Sequence, residues 1–251
     1  MTGYTVVLLR HGETVGYDGD LGLTPRGEQQ ARDRGTALAA QIPAGTTVRM
    51  PHARTARAIA TAVALRKALV EAADPGVEIG DLHPDPWFDN LRFALDGAGV
   101  DTSVAVTTRL AHEGPLPDWV REYDRFDTDY RAGAAAGHPI EWWLHQPTLW
   151  FEPPHVGAHR LWQGVAHAAD GHDGARPLVV VAATHSAPMR AFAATALGRD
   201  PGEPHNLEDI RVHVAADGRA DVVFRGETVP FAALPALPPW LDAGWLEGFG
   251  R

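Results

Sequence analysis

Two short apolar runs constrain the fold of this chain more than any other feature. The first is residues 5–9 (TVVLL), near the start, and the second is residues 178–183 (LVVVAA). Both are rich in β-branched residues or leucine, and neither alternates apolar with polar positions. This pattern is typical of strands buried on both faces, which occur in parallel sheets covered by helices on each side.

The segments after the first run alternate between helix and strand patterns. Thr24 and Pro25 form a typical helix start, with threonine at the N-cap, and Glu28 falls in the first turn. We predict that this helix runs to about residue 41, followed by a strand at 46–50 and an alanine-rich helix at 55–73. This order predicts an α/β fold, a three-layer sandwich whose mostly parallel central sheet is flanked by helices.

The rest of the chain is predicted as an inserted helical and aromatic cap region (residues 80–177) within a single domain (1–251), followed by a return to the sheet. In the cap, helices are expected near 102–113, 117–131 and 155–169, and the tryptophan-rich run 141–154 is expected to pack mainly as core, with one or two rings reaching a pocket. After it we predict a helix at 187–197 closed by Gly198, a hairpin of 211–214 with 220–225, and a tail from residue 230 that wraps the surface.

Composition excludes several functions. The formal net charge of -10 disfavours nucleic acid and anionic membranes as partners, because both need a basic surface. The absence of cysteine excludes disulfides, a thiolate nucleophile and a cysteine-ligated metal. No basic leader precedes the first apolar run and no run is long enough to span a membrane, so we expect a cytoplasmic protein without a membrane partner.

Titratable side chains follow both apolar runs. Arg10 and His11 follow the first, and His185 and Ser186 follow the second. Ligands of parallel α/β sheets bind beyond the carboxyl ends of the strands. Arg57 lies in the first turn of the second predicted helix, where amide groups and the helix dipole favour an anion and a guanidinium suits phosphate oxygens. The sequence therefore predicts a phosphate site.

These residues belong to four motifs that resemble those of the histidine phosphatase superfamily, the phosphoglycerate-mutase-like group with the Arg-His-Gly motif. The resemblance covers roughly residues 4–62 and 178–198, and the central hundred residues lie outside it. The motifs, in order, are RHGET (10–14), LTPRGEQQA (23–31), RAIATA (57–62) and VVVAATHSAPMR (179–190).

The resemblance implies a role for each matching residue. His11 would be the nucleophile that accepts the phosphoryl group, and Arg10, Arg57 and His185 would bind its oxygens. The predicted phosphate- and substrate-binding residues further include Ser186, Tyr17 and Thr24. Tyr17 stands where the family often has asparagine, so we expect it to narrow the pocket.

The chemistry of these residue types agrees with such roles. Imidazole attacks phosphorus without first losing a proton, provided that the attacking nitrogen is unprotonated. Phosphoryl transfer depends mainly on positioning and charge stabilisation, which arginines supply, so we expect neither metal nor cofactor. His155 and His159 are four residues apart, but no further ligands at a recognisable spacing join them, so they are interpreted as surface or pocket residues.

For two of the predicted roles, the phosphate-binding arginine and the general acid, the sequence offers two candidate residues each. Arg54 competes with Arg57 for the phosphate, although Arg57 has the family's spacing to the threonine and alanine of its motif. The family's general acid is typically a glutamate after the second helix, whereas this chain offers Asp89 and Asp85 there. Asp89 is the predicted acid, because the apolar residues before it would raise its pKa if it were buried. The alternative is that either aspartate only caps a turn next to a proline.

Three functions fit these observations. The predicted one is a phosphatase acting on a phosphorylated small molecule, and the alternatives are a phosphoglycerate-type mutase and a non-catalytic phosphate-binding relative. Tyr17, the missing glutamate and the unmatched central region favour the phosphatase. The sequence sets neither the substrate nor the oligomeric state.

Overall fold

A computed structural model describes residues 3–95, 98–115, 117–136, 140–145, 150–242, 244 and 246. Along these residues the elements are β1 Tyr4–Arg10, α1 Pro25–Ala39, β2 Thr47–His52, α2 Ala56–Ala72, β3 Glu78–Pro84, β4 Arg92–Leu95, β5 Ala98–Asp101, α3 Thr102–Ala111, α4 Asp118–Ala135, α5 Glu141–His145, α6 Pro154–His167, β6 Leu178–Thr184, α7 Ser186–Leu197, β7 Asp209–Val214, β8 Ala220–Phe224 and β9 Glu227–Phe231. No helix of this described part is long and apolar enough to cross a membrane.

The central sheet has seven strands in the order β3-β2-β6-β1-β7-β8-β9. The first four are mutually parallel, and β7, β8 and β9 continue the sheet as an antiparallel meander. β1 and β6 pair along their full length, from Tyr4 opposite Leu178 to Arg10 opposite Thr184. The two apolar runs are therefore neighbours, and the residues after them meet at one edge of the sheet.

Helices cover both faces of the sheet, as the unbroken apolar runs predict. Val6 and Leu8 of β1 pack in a cluster with residues of α6 and α7. Val7 and Leu9, which point to the opposite face, pack with residues of α1 and α2. The three-layer α/β sandwich is confirmed.

The helix boundaries follow the sequence signals closely. The Thr24 hydroxyl accepts a hydrogen bond from the Gly27 amide (3.0 Å), and Pro25 occupies the first position of α1. The helix ends at Ala39, two residues earlier than predicted, because the amides of Gln41 and Ile42 bond only three residues back. Gly198 ends α7 with a φ of 68°, the left-handed conformation that favours glycine.

The cap region forms its own hydrophobic cluster against α7. The three helices predicted in residues 80–177 correspond to α3, α4 and α6, and β4 and β5 form a separate hairpin. Trp143 is fully buried in the cluster, as core packing of the tryptophan-rich run predicts, while the Trp142 side chain and residues 146–149 lie outside the described part. Ala187 and Ala191 of α7 complete the cluster, which places the cap beside the edge where His185 lies.

The segment around residue 230 does not wrap the surface as predicted. Residues Glu227–Phe231 form β9, the last strand of the sheet, and Pro230 lies opposite Asp221 of β8. Proline is tolerated there because an edge strand needs hydrogen bonds on one side only. Farther along, Leu241 and Leu246 are buried against Val156 of α6.

Candidate active site

His11 directly follows β1 and is almost fully buried (2% exposed). Its amide donates to the Thr184 carbonyl of β6 (3.0 Å), and its ring Nδ1 lies 2.7 Å from the carbonyl oxygen of Gly12. A carbonyl only accepts, so Nδ1 carries the proton and Nε2 keeps its lone pair. Burial, and then the positive charges of Arg57 and Arg10, hold the pKa of His11 well below its ordinary value of 6.5. The ring is therefore neutral, with an unprotonated Nε2.

The two motif glycines explain why this loop is rigid. A Cβ on Gly12 would lie 2.5 Å from the carbonyl oxygen of Gly27, and a Cβ on Gly27 would lie 2.1 Å from that of Glu13. The loop and the first turn of α1 thus touch backbone to backbone, which only glycine permits. The Gly12 amide also donates to the Thr61 hydroxyl of α2 (3.0 Å). His11 is consequently held between two helices.

His185 precedes α7, and its ring centroid lies 5.1 Å from that of His11. Its Nε2 is 3.1 Å from the Thr55 hydroxyl, whereas its Nδ1 is buried without a hydrogen-bond partner in the described part of the chain. Burial, followed by the charges of Arg57 and the neighbouring His11, lowers the pKa of His185 well below 6.5. The paired strands therefore bring both predicted histidines into one neutral pair.

Arg57 supplies a buried positive charge (2% exposed) beside this pair. Its Nε and Nη1 have no hydrogen-bond partner among the described residues. The carboxylate oxygens of Asp20 and Asp101 lie 3.7 and 3.5 Å from nitrogens of the guanidinium. The N-cap Thr55 does not cap α2, and the Ala56 amide donates instead to Asp20 (2.8 Å). Buried donors without partners are costly, so this corner is built to receive an anion.

Arg10 stands next to this corner. Its Nη1 donates to the Pro204 carbonyl and lies 3.2 Å from the Glu203 carboxylate, while its Nε is buried without a described hydrogen-bond partner. Asn206 of the same loop donates from its side chain to the His11 carbonyl (2.9 Å). The sequence contains no motif that would have identified this loop as a support of the site.

A cavity of about 270 Å³ opens over these groups. Part of its lining comes from the sheet edge and the helix starts beside it: His11, Arg57, His185, Ser186 and Ala187. The rest comes from the loop after β1, from the cap and from α4: Gly16, Tyr17, Asp18, Asn90, Leu91, Thr102, Tyr123, Phe126, Asp127, Tyr130, Arg131 and Ile140. We call the first set the sheet-edge part and the second the outer part.

Tyr17 joins the two parts, which agrees with its predicted place in the pocket. Its ring centroid lies 6.4 Å from that of His11 and 5.7 Å from that of Tyr130, and the Arg57 guanidinium lies 5.8 Å from the ring centre. Tyrosine at this position therefore gives the cavity an aromatic side beside His11.

Comparison with known proteins gives structural matches only, since no family model and no curated protein matches the sequence. YhfR from Bacillus stearothermophilus superposes with a TM-score of 0.56 at 20% identity over 89% of this chain and 97% of that one. Phosphoglycerate mutase from Bacillus anthracis gives 0.54 at 14% identity over 92% of each chain. Mycobacterial glucosyl-3-phosphoglycerate phosphatase in complex with VO3 gives 0.50 at 19% identity over 83% of this chain and 92% of that one.

This chain has the histidine phosphatase fold. Its sheet edge brings His11, Arg57, His185 and Ser186 to one cavity, whereas Arg10, which precedes His11 in the chain, is not among the residues that line it. At these low sequence identities the similarity shows the fold alone. The roles of individual residues therefore depend on the geometry of this site.

Two of the motif residues have structural contacts rather than a place in the cavity. Thr24 is the N-cap of α1, and its hydroxyl donates to the Glu13 carboxylate (2.8 Å). Neither residue lines the cavity, and Glu13 also lies 3.5 Å from Arg26. The predicted substrate contact of Thr24 is thus not formed in this arrangement.

The acid candidates also lie outside the cavity lining. The Asp89 carboxylate accepts hydrogen bonds from the amide (3.1 Å), Nε (2.9 Å) and Nη2 of Arg54, and both residues line a separate cavity next to Asn90. Asp85 caps the short 3₁₀ turn that follows it by accepting from the Trp87 amide (2.9 Å), and burial raises its pKa. Of the two candidate arginines for the phosphate, Arg57 lines the main cavity and Arg54 does not.

A buried arginine that the sequence did not indicate fixes this acidic segment. Arg160 of α6 is paired with Glu152 (2.9 Å), and both side chains are fully buried. The Arg160 guanidinium also donates to the carbonyls of Trp87 (3.0 Å), Asp89 (2.8 Å) and Asn90 (3.0 Å). The backbone of the segment is therefore held in place, and the Arg54 side chain that binds the Asp89 carboxylate is about half exposed.

His155 and His159 both lie on α6, away from the cavity lining. The described residues include no group of three or more histidine, aspartate or glutamate side chains arranged to hold a metal ion.

Proposed function

We propose that this protein is a phosphatase that hydrolyses a small organic phosphate monoester through a phosphohistidine at His11. The observation that carries the proposal is the buried, neutral His11 ring, whose Nε2 is free beside the unpartnered donors of Arg57 and the unpartnered ring Nδ1 of His185. The surplus of acidic residues supports a small phosphorylated molecule rather than a nucleic acid as substrate.

In the proposed first step, Nε2 of His11 attacks phosphorus, the phosphorus–oxygen bond to the leaving group breaks, and the departing oxygen takes up a proton. Arg57 and Arg10 offset the charge that develops on the phosphoryl oxygens. In the second step water attacks the phosphohistidine, the phosphorus–nitrogen bond breaks, and neutral His11 is restored. The chain's own cations supply the charge stabilisation, so the proposal needs neither a metal nor a cofactor.

We propose Asp89 as the proton donor for the leaving group. For this role the exposed Arg54 side chain must release the Asp89 carboxylate toward the neighbouring main cavity, while Arg160 keeps the backbone fixed. Asp85 is less suited, because its carboxylate already caps the turn before Asp89.

Trapping the intermediate tests the proposal. The protein is mixed with p-nitrophenyl phosphate, quenched in alkali and examined by intact-protein mass spectrometry, with and without EDTA. We expect a phosphoryl adduct and phosphate release in the wild type under both conditions, and neither in His11→Ala. Phosphate release without an adduct, an unaffected His11→Ala variant, or loss of activity in EDTA that a divalent ion restores would contradict the proposal.

His52→Gln is the matched control. His52 also ends a strand, is buried, and has its Nδ1 2.9 Å from the carbonyl of the next residue, but it does not line the cavity. We expect the His52→Gln variant to form the phosphoryl adduct as the wild type does. Interconversion of phosphoglycerates, measured in parallel, separates the phosphatase from a mutase, which would transfer the phosphoryl group between carbons faster than it releases phosphate.

A further inference from the structure

The outer part of the cavity has an aromatic wall on α4. Tyr123, Phe126 and Tyr130 line it, with ring centroids 6.2 Å apart between the first two and 5.9 Å apart between the last two. Tyr123 and Phe126 are also packed into the cap cluster, where Phe126 lies 4.5 Å from the ring of Phe151. The wall is therefore preformed rather than flexible.

The charged side chains of the outer part are already paired with one another. Arg131 donates from Nε to Asp127 (2.8 Å) and from Nη2 to Asp18 (3.0 Å), and all three side chains line the cavity. These two carboxylates raise the pKa of Arg131, so its guanidinium stays charged. Two carboxylates against one guanidinium leave the outer part with a net negative charge. Among the described lining residues the only other arginine is Arg57, which faces the proposed phosphate position.

The aromatic rings and the acidic side chains of the outer part favour some classes of phosphate ester over others. A second anionic group on the substrate, such as a carboxylate or another phosphate, would meet Asp18 and Asp127 with no uncompensated cation among the described residues of the outer part. A flat apolar group would instead contact the rings of Tyr17, Phe126 and Tyr130, which prefer stacked or edge-to-face partners.

We infer, on the basis of the proposed phosphatase function, that the substrate is a phosphate monoester whose organic part is an uncharged aromatic or similarly flat ring group, and that the α4 wall with its acidic pair selects it. Phosphoglycerates and bisphosphates are accordingly poor substrates.

The test compares three esters of primary alcohols, so that the basicity of the leaving oxygen stays similar. These are 2-phenylethyl phosphate, propyl phosphate and the phosphate ester of 3-hydroxypropionate. We expect kcat/KM to fall in that order, by about tenfold at each step, because one aromatic contact or one unfavourable charge contact is worth about that factor. A phenylethyl ester no better than the propyl ester, or a preference for the carboxylated ester, overturns the inference.

Variants of the lining residues test whether the α4 wall and its acidic pair cause the preference for the phenylethyl ester. Phe126→Leu is expected to reduce the ratio of kcat/KM for the phenylethyl over the propyl ester several-fold, and Phe224→Leu, a buried ring of β8 in a different cluster, is the matched control that keeps the ratio. Tyr17→Leu repeats the test at a more exposed position (40% exposed), where folding is not at risk. Asp127→Asn is expected to raise the relative rate of the carboxylated ester. Unchanged ratios in the Phe126, Tyr17 and Asp127 variants overturn the inference.

The inference and the function on which it depends fail differently. If the phosphohistidine forms on His11 and the esters are hydrolysed in another order, only the inferred substrate class is wrong. If none of the three esters releases phosphate and no adduct forms, the proposed phosphatase function is wrong.

Discussion

The two parts of the cavity are built in different ways. The sheet-edge part takes its residues from positions one or two beyond a strand or in the first turn of a helix, as with His11, Arg57 and His185. The outer part depends on α4, whose rings Tyr123 and Phe126 are placed by the cap cluster. The comparison teaches that the chemistry of this site follows from local backbone geometry, whereas substrate selection follows from tertiary packing.

The two parts also differ in how their polar groups are satisfied. At the sheet edge, Nε and Nη1 of Arg57 and the ring Nδ1 of His185 are buried without described hydrogen-bond partners, and the Arg57 donors suit an incoming anion. In the outer part, Arg131 has both of its carboxylate partners. We therefore expect substitutions at the sheet edge to lower the rate with every substrate, and substitutions in the outer part to change the ranking of substrates.

Replacing His11 is the strongest test of this division. His11→Ala removes the nucleophile and should lower kcat by roughly 10⁴-fold or more with every ester, by analogy with removal of other catalytic nucleophiles. Steady-state phosphate release measures the effect, and circular dichroism checks the fold. A variant slowed with one ester and not with another would place His11 in substrate selection instead.

Arg57→Ala should have the next largest effect, about 10²- to 10³-fold, because it removes a preorganised donor to the phosphoryl oxygens. Arg54→Ala is the matched control, since Arg54 is engaged with Asp89 outside the main cavity. Competitive inhibition by inorganic phosphate or vanadate measures the binding. If only Arg54→Ala weakens that inhibition, the sheet-edge part has been assigned to the wrong arginine.

Asp89→Asn tests whether the acidic segment belongs to the chemistry. Loss of a proton donor should slow alkyl phosphates by about 10²-fold and p-nitrophenyl phosphate far less, because p-nitrophenolate leaves without a proton. Asp85→Asn should affect both substrates only weakly. Equal losses with both substrates in Asp89→Asn would show that its carboxylate serves to hold Arg54.

The smallest predicted effect concerns pH. The pKa of His11 is lowered in the folded protein, so the unfolded chain binds more protons below pH 6.5 and the free energy of unfolding falls with acidification. This loss amounts to about 1 kcal/mol for that histidine between pH 7 and pH 5.5. Urea unfolding at both pH values should show a correspondingly smaller decrease in His11→Asn. An equal decrease would mean that the sheet edge does not disfavour the charged imidazole.

Features encoded within a few residues could be predicted from the sequence. The apolar runs predicted β1 and β6, and Thr24 and Pro25 predicted the start of α1. The positions of His11 and His185 followed from the strand ends.

Features that depend on contacts with distant parts of the chain could not be predicted from the sequence. Asn206 supports His11 from a loop nearly two hundred residues away, and Arg160 fixes the acidic segment through backbone carbonyls that no side-chain pattern reveals. Tyr123 and Phe126 of the wall belong to an ordinary helix pattern whose orientation is set only when the cap cluster packs.

The hydrogen bond between the His11 ring and the Gly12 carbonyl has an evolutionary consequence. In many enzymes a second side chain orients the reactive histidine, so a mutation there can disable it. Here the orienting group is the main chain of the adjacent residue, which every substitution leaves in place as long as the loop keeps its path. The walls of the cavity around His11 can therefore diverge widely between lineages without any compensating change at its ring.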